Sequence, residues 1–331
     1  MEEILKQAQE LYCLKNCKFR GVSEHEGGRN YVYVCHIYDA DSFVLRISKL
    51  EDRTEEDYLA EAEFVHFLAA NNAPVSDVVA SVNGRFVEKV DYEGKRYYVA
   101  LFSYAEGKLL SDNGYRYRNG APIEEYFYNT GKTLGIIHRL SKIYEPRHKR
   151  PDYFDKYNKD YIDKLISDEY NELKEAIYKR FEEFAKLPKD EESYGTVHFD
   201  FSDGNYHVDM RTGNITVFDF DNSMYCWYMF DLANLWIHGE GWCRHENGPK
   251  SRMEYMKHYF DTILEGYRSE TKVSDELLSK LPLFIDMVLI ENIVDEFECA
   301  AREGEEPDYE DIENAAECLI NSIPYAGIGA E

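Results

Sequence analysis

The chain contains no apolar run approaching the ~20 residues needed to cross a bilayer. Its first residues, Met1-Glu2-Glu3-Ile4-Leu5-Lys6, lack the basic-then-apolar order of an export signal. A soluble, cytoplasmic protein is expected. Cysteine is sparse: seven residues, at 13, 17, 35, 226, 243, 299 and 318, with no Cys-x-x-Cys pair. Scattered, odd-numbered cysteines in such a protein read as reduced thiols, and no zinc site is assigned. Basic residues are few: 38 Lys and Arg against 64 Asp and Glu leave a net charge of -26. That balance disfavours a nucleic-acid partner, whose phosphates would be repelled. It suits a cationic small molecule entering an acid-walled cleft, and it equally serves solubility, as in the acidic run from Glu303 to Asp311. Internal repeats and low-complexity linkers are missing, and nothing in the pattern reports an oligomeric state. Length is not missing: 331 residues with 44% hydrophobic content can bury a core and form two lobes.

The most restrictive pattern lies mid-chain. His198-Phe199-Asp200-Phe201-Ser202-Asp203-Gly204-Asn205 is followed by Phe218-Asp219-Phe220-Asp221, with Asp219 fourteen residues after Asn205. Between them, Tyr206 to Asp209 and Ile215 to Phe218 read as strands flanking the turn Met210-Arg211-Thr212-Gly213. A hairpin brings its ends together, since paired strands lie about 5 Å apart. Asn205 and Asp219 can then hold one small cation. A hard ion such as Mg²⁺ takes one or two protein carboxylates and leaves positions for water and phosphates. Asp200, kept off the metal, is the candidate to accept a proton from an attacking hydroxyl. Single Asp and Asn residues are common in turns, and Asp-x-Asp also occurs in metal-dependent glycosyl transferases. The full spacing is narrower than either.

The segment from Val197 to Ala233, including Phe230-Asp231-Leu232-Ala233, resembles the aminoglycoside phosphotransferase and choline kinase-like family, small-molecule relatives of the protein kinases. The resemblance implies an α+β, protein kinase-like two-lobed fold. Residues 1–104 would form a nucleotide-covering lobe of antiparallel sheet with one main helix, and residues 105–331 a mostly helical catalytic and substrate-binding lobe. It implies Asp200 as catalytic base, Asn205 and Asp219 as metal ligands, and His198 and Asp231 as supports of the catalytic loop. The role of Asp221 is open. The cofactors implied are Mg²⁺ and ATP or GTP, and the acceptor is a hydroxyl of a small molecule. An amine-bearing acceptor of the aminoglycoside, choline or amino-alcohol type is a lean from the charge.

The first hundred residues carry matching local signals. Tyr31 to Tyr38 and Phe43 to Ser48 read as strands. Asn83-Gly84 reads as a hairpin turn, and Arg85 to Val90 and Arg96 to Ser103 read as a second strand pair. Thr54 with Asp57 is close to a capping box for a helix carrying Ala60, Phe64, Phe67 and Leu68 and ending before Pro74. On it, Glu61 falls where the family holds a phosphate-binding cation. That cation is Arg46 where a Lys is expected; alternation places Lys49 on the opposite strand face. A guanidinium can clamp phosphate and carboxylate together. Gly27 and Gly28 stand where the family has a loop over the phosphates. Leu101-Phe102-Ser103-Tyr104 stands at the hinge, where Phe102 and Tyr104 would meet an adenine, with Gly107 as a swivel. Helices are expected at Thr133 to Leu140, within 154–187, and at Leu232 to His238, Ser251 to Gly266, Asp275 to Cys299 and Tyr309 to Ile323. Two other readings stand beside the kinase. One is a non-catalytic relative, because Arg46 replaces Lys. The other is a protein kinase, disfavoured because neither Asp-Phe-Gly nor Ala-Pro-Glu follows Asp219.

Overall fold

Alternation in the first hundred residues builds a sheet with a hydrophobic cluster packed on each face. In the computed structural model, which describes residues 1–22, 29–38, 40–49 and 52–325, the chain opens with helix α1 (Glu2–Leu11) and strand β1 (Lys18–Gly21). Strands β2 (Asn30–Ile37) and β3 (Ala40–Ser48), helix α2 (Glu55–Ala70), and strands β4 (Val78–Val79), β5 (Val87–Tyr92) and β6 (Lys95–Ser103) follow. The strands pair antiparallel in the order β1-β2-β3-β6-β4, with β5 also on β6. Leu45 and Ile47 of β3 enter a core with Ile4 and Ala8 of α1 and Val99 and Leu101 of β6. Arg46, between them, points the other way and pairs with Glu61 of α2, as period-2 alternation requires.

Helix α2 starts where its sequence says. Thr54 accepts from the Asp57 backbone N–H, and the Asp57 side chain accepts from Thr54 N–H, so two orphan donors are satisfied reciprocally. The turn between β5 and β6 is Glu93-Gly94, at φ +50° and +79°, the positive pair that a type I′ hairpin needs. Asn83-Gly84 does not close a hairpin. Gly84 N–H donates to the Ser81 carbonyl, but β4 and β5 occupy successive stretches of the same β6 edge, with Val79 opposite Leu101 and Val87 opposite Ala100. The turn is the tip of an excursion from one broken edge strand. Helix α1 and strand β1 fall outside the elements expected from the sequence, although α1 is amphipathic: Ile4 and Ala8 are buried on one face, with Leu5 and Leu11 packed beside them.

The remaining elements are mainly helical: α3 (Ile123–Ser141), α4 (Tyr153–Lys156), α5 (Lys159–Leu165) and α6 (Asn171–Phe184), then β7 (Tyr194–Val197). The hairpin β8 (Tyr206–Val208) and β9 (Ile215–Val217) comes next, then β10 (Met224–Trp227), which pairs with β7, and helix α7 (Met229–Cys243). Helices α8 (Pro249–Arg268), α9 (Asp275–Leu278), α10 (Leu281–Glu303) and α11 (Tyr309–Asn321) complete the chain. The single helix expected from Asp275 to Cys299 is two, because Pro282 lacks the N–H that continuing the first would need and instead sits in the first turn of α10. Helices α3 and α8 cross in backbone contact: a Cβ on Gly131 would lie 1.9 Å from the Ile263 carbonyl oxygen, and one on Gly266 would lie 2.0 Å from that of Tyr128.

By contacts the chain divides into two units. One is Met1–Arg116 with Ile143–Arg150 and Asn205–Asp221; the other is Tyr117–Lys142, Pro151–Gly204 and Asn222–Glu331. The sheet unit thus takes in the β8–β9 hairpin, whose Val217 accepts from Ser76 N–H and donates to the Pro74 carbonyl. It also takes in the 143–150 segment, where Tyr144 packs on Phe64 and Phe67 and Arg147 and His148 pair with Glu63. All seven cysteines are free thiols. Among the described residues no helix is long and apolar enough to cross a membrane.

Candidate active site

The hairpin meets at its ends as its sequence demands. Tyr206 faces Val217 and Val208 faces Ile215, and one residue further out Phe218 N–H donates to the Asn205 carbonyl at 2.9 Å. Asn205 and Asp219 therefore leave the same end of one short ladder. Asp219 has φ +61°, a left-handed conformation to which Asp is better suited than most residues because its short side chain bonds locally.

Acids and arginines of the sheet unit gather beside that end. The Arg46 guanidinium donates to Glu61 Oε2 and reaches Asp219 Oδ1 at 3.4 Å, with its Cζ 5.0 Å from the centre of the Phe102 ring. Burial opposes the charge on Arg46, but Glu61 and Asp221 outweigh it and hold the guanidinium firmly protonated. Glu61 is 1% exposed, and its Oε1 has no hydrogen-bond partner among the described residues. The two acids of the Asp-x-Asp pair differ. The Asp219 side chain is 50% exposed and that of Asp221 only 9%. Protein packed around the Asp219 carboxyl raises its pKa, with Arg46 pulling it down and Asp221 and Glu61 adding to the rise. Burial would raise Asp221 too, yet Arg53, Arg46, Arg150 and Arg29 hold it below the ordinary carboxylate range.

The other expected nucleotide residues lie on β6 and beyond. Phe102 is on β6 opposite Val44 and Val78. The hinge donors are engaged in the sheet: Ser103 N–H donates to the Asp77 carbonyl and Tyr104 N–H to that of Ser42. Tyr104 packs its ring edge-on to His207, whose Nδ1 bonds the Ala105 carbonyl. Gly107, expected as a swivel, is a close-approach position: a Cβ there would stand 2.4 Å from the Val208 carbonyl oxygen, and Lys108 pairs with Val208 through both backbone groups. Gly27 and Gly28 lie outside the described residues.

In the helical unit the loop after β7 is held from behind. Both oxygens of Asp231, fully buried, accept backbone N–H bonds at 2.9 Å, Oδ2 from His198 and Oδ1 from Phe199. His138 of α3 is 3.0 Å from Oδ2 through Nε2, and its Nδ1 is 3.0 Å from the Tyr267 hydroxyl. Burial lowers the His138 pKa, against the pull of Asp231. These partners suit a neutral ring that donates from Nε2 to Asp231 and accepts at Nδ1 from Tyr267. Phe199 has φ +70°, and the next residue, Asp200, donates its N–H to His198 Nδ1 at 3.3 Å. His198, read from sequence as a loop support, is fully buried.

Helix α10 adds acids that sequence reasoning did not single out. Glu291, Asp295 and Glu298 share a face by helical spacing. Lys156 Nζ is 2.8 Å from Glu298 Oε1 and 5.2 Å from the centre of the Tyr157 ring. Burial raises the Glu291 pKa, and the nearby charges of Asp295 and Asp200 raise it further against Lys156. Arg53 and Arg150 were likewise missed: each meets Asp221 from a distant stretch of chain, where no spacing rule applies, and Asn30, at the end of the glycine-containing stretch, meets it too.

A family model described as APH, phosphotransferase enzyme family, matches residues 22–270. The chain is 26% identical over 291 residues to an amicoumacin kinase of Bacillus subtilis (strain 168), covering 86% of this chain and 81% of that protein. Its fold is shared with an amicoumacin kinase solved in complex with AMP-PNP, Ca²⁺ and Ami, at a TM-score of 0.82 and 20% identity over 100% of this chain and 95% of that one. It is shared also with a microcompartment-associated aminopropanol kinase, at a TM-score of 0.69 and 19% identity over 97% of this chain and 95% of that one. A choline kinase from Streptococcus pneumoniae aligns at a TM-score of 0.59 and 16% identity, over 97% of this chain and 99% of that one. With the larger part of its length matched by the family model, the chain belongs to the APH phosphotransferase enzyme family and is a small-molecule kinase.

Proposed function

We propose that the protein moves the γ-phosphate of ATP or GTP to a hydroxyl of a small, amine-bearing acceptor in a Mg²⁺-dependent reaction. Asp200 accepts the acceptor's hydroxyl proton as the oxygen attacks phosphorus, and the bond from the γ-phosphorus to the nucleotide's bridging oxygen breaks, leaving ADP or GDP. Arg46, oriented by Glu61, binds the α and β phosphates. Gly27 and Gly28 cover them, and the stretch from Phe102 to Tyr104 borders the base. Asn205 and Asp219 fit a hard dication: one amide oxygen and one half-open carboxylate, side by side at a hairpin end, are the oxygen donors such an ion takes. When bound, the ion neutralises phosphate charge and fixes phosphate orientation. His198 and Asp231 hold the Asp200 loop in place.

What carries this proposal is the joining of the Arg46–Glu61 pair to Asp219 within one unit. The cation proposed to hold phosphate is thus a neighbour of the carboxylate proposed to hold the metal, 3.4 Å from it. The amine on the acceptor is supported by Glu291, Asp295 and Glu298, acids that share one face of α10, where Glu298 already draws in the ammonium of Lys156 at 2.8 Å. An ammonium there would relieve that crowding. The names of the relatives, which include amicoumacin, aminopropanol and choline, run the same way.

The test is a screen for ADP release against hydroxyl metabolites, each amine-bearing compound paired with an amine-free analogue, with and without Mg²⁺. Acceptor-dependent release that needs Mg²⁺ and favours the amines is expected. Release with no acceptor dependence would refute the transfer, and equal rates for the paired analogues would refute the amine.

A further inference from the structure

Asp221 is the most heavily tied acid near the hairpin end, and phosphoryl transfer as described above makes no use of it. Its Oδ2 accepts from Asn30 Nδ2 at 3.1 Å. Its Oδ1 is ion-paired with Arg53 and lies 4.0 Å from Arg46 Nη1. Its backbone carbonyl accepts from Arg150 Nη2 at 2.6 Å, while Arg150 Nη1 donates to the Asp57 carbonyl at 3.0 Å. Four stretches of chain converge on this residue: Asn30 opens β2, Arg46 lies on β3, Arg53 precedes α2, and Arg150 closes the 143–150 segment.

The chemistry of this arrangement is unfavourable for a metal ligand. A hard dication needs carboxylate lone pairs that face away from N–H donors, and it is repelled by guanidinium groups nearby. Both oxygens of Asp221 face donors, and the side chain is nearly closed to solvent. Asp219, two residues earlier, is half open. We infer that Asp221 is a positioning residue and not a second metal carboxylate: it gathers Arg46, Arg53 and Asn30 so that Arg46 presents one edge to the phosphates, and it anchors the turn that carries Asp219. Removing its charge leaves Arg53 without its carboxylate and takes one of three acids from around Arg46, so that Arg46 is held by Glu61 and Asp219 alone.

This rests on the phosphotransfer proposed above, so the experiment separates the two. Mn²⁺ binding in the presence of AMP-PNP is followed by electron paramagnetic resonance, alongside the thermal midpoint and steady-state kinetics, for the unsubstituted protein, Asp219→Asn and Asp221→Asn. Asp219→Asn is expected to weaken Mn²⁺ binding by about tenfold or more. Asp221→Asn is expected to leave Mn²⁺ affinity far less affected than Asp219→Asn does, to lower the thermal midpoint with no nucleotide present, and to raise the nucleotide KM more than it lowers kcat. Should Asp221→Asn fail to fold, Arg53→Gln leaves the carboxylate in place, and the same rise in nucleotide KM with unchanged Mn²⁺ affinity is expected, with Arg53→Lys falling between. Tighter Mn²⁺ binding in Arg53→Gln, the mark of a carboxylate released to the metal, overturns the inference. Loss of Mn²⁺ binding in Asp221→Asn to the same extent as in Asp219→Asn also overturns it. If the unsubstituted protein bound no Mn²⁺ with nucleotide, the phosphotransfer itself would fall, and this inference with it.

Discussion

Phe199 lies flat on Phe230, with ring centroids 4.0 Å apart and planes 3° from parallel. The stack clamps the side chain of a residue whose backbone is left-handed, while the neighbour of Phe230, Asp231, grips the N–H groups of His198 and Phe199. Strained φ values persist only where the surroundings over-determine them. Two adjacent residues of α7 do that here, and the residue they aim is Asp200.

Breaking either hold should loosen the loop. Phe230→Ala removes a fully buried ring and should cost about 3–5 kcal/mol of stability. Asp231→Asn leaves one backbone N–H facing an amide NH2, and should cost about 1–3 kcal/mol with a fall in kcat beyond what nucleotide affinity explains. Urea unfolding and steady-state kinetics measure both. An Asp231→Asn protein of unchanged stability would show that the three bonds to this carboxylate contribute nothing net.

Asp200→Asn should leave nucleotide binding within a few-fold of the unsubstituted protein and lower kcat by about 10²–10⁴, the range that general-base removal usually gives. Fluorescent-nucleotide titration and ADP release separate the two effects. Turnover retained in Asp200→Asn would move the base elsewhere.

Arg46 should tolerate Lys better than Ala. A lysine keeps a charge for Glu61 but cannot span Glu61 and Asp219 with a planar fork, so Arg46→Lys is expected to raise the nucleotide KM several-fold and to fold normally. Arg46→Ala strands Glu61, a carboxylate 1% exposed, and should cost about 3–5 kcal/mol. Equal stability of the two variants would mean that Glu61 does not depend on this partner.

The His138 contribution to stability should be pH-dependent with a definite sign. Its folded pKa is lowered by burial, so as pH falls the unfolded chain takes up the proton first. The contribution is complete above about pH 6.5, the unfolded value, and is lost as pH drops below it towards the folded pKa. Glu291, whose pKa is raised, acts oppositely, so the informative quantity is the difference between the protein and His138→Gln. That difference, from urea unfolding at pH 8 and pH 5.5, should shrink on acidification, by at most about 1.4 kcal/mol per pH unit. A difference that holds constant would mean that folding does not shift the His138 pKa, and one that grows on acidification would mean that the folded protein holds the ring charged.

Local signals reported local facts well. The Thr54–Asp57 cap, the β8–β9 hairpin and the alternation that turns Arg46 away from Leu45 and Ile47 all depend on neighbours in sequence, and each is present. Where several solutions share one local pattern, that pattern does not choose between them. Asn83-Gly84 makes its turn whether or not the flanking strands pair, and only the β6 edge decides that. Helix α1 was legible from the i, i+4, i+7 spacing of Ile4, Ala8 and Leu11 and was overlooked, while the sheet face it covers is not encoded locally. The site divides in the same way. Asp200, Asn205 and Asp219 stand out because one motif contains them, whereas Asn30, Arg53 and Arg150 matter through a meeting at Asp221 that no periodicity encodes.

The bond between Phe218 N–H and the Asn205 carbonyl has a kinetic implication. Asn205 and Asp219 leave one backbone-bonded hairpin end, so a movement of the hairpin would carry both together. A cation would then meet a ready-made pair of donors, and its release would depend on water and phosphate exchanging around it, with no need for the protein to pull its own ligands apart.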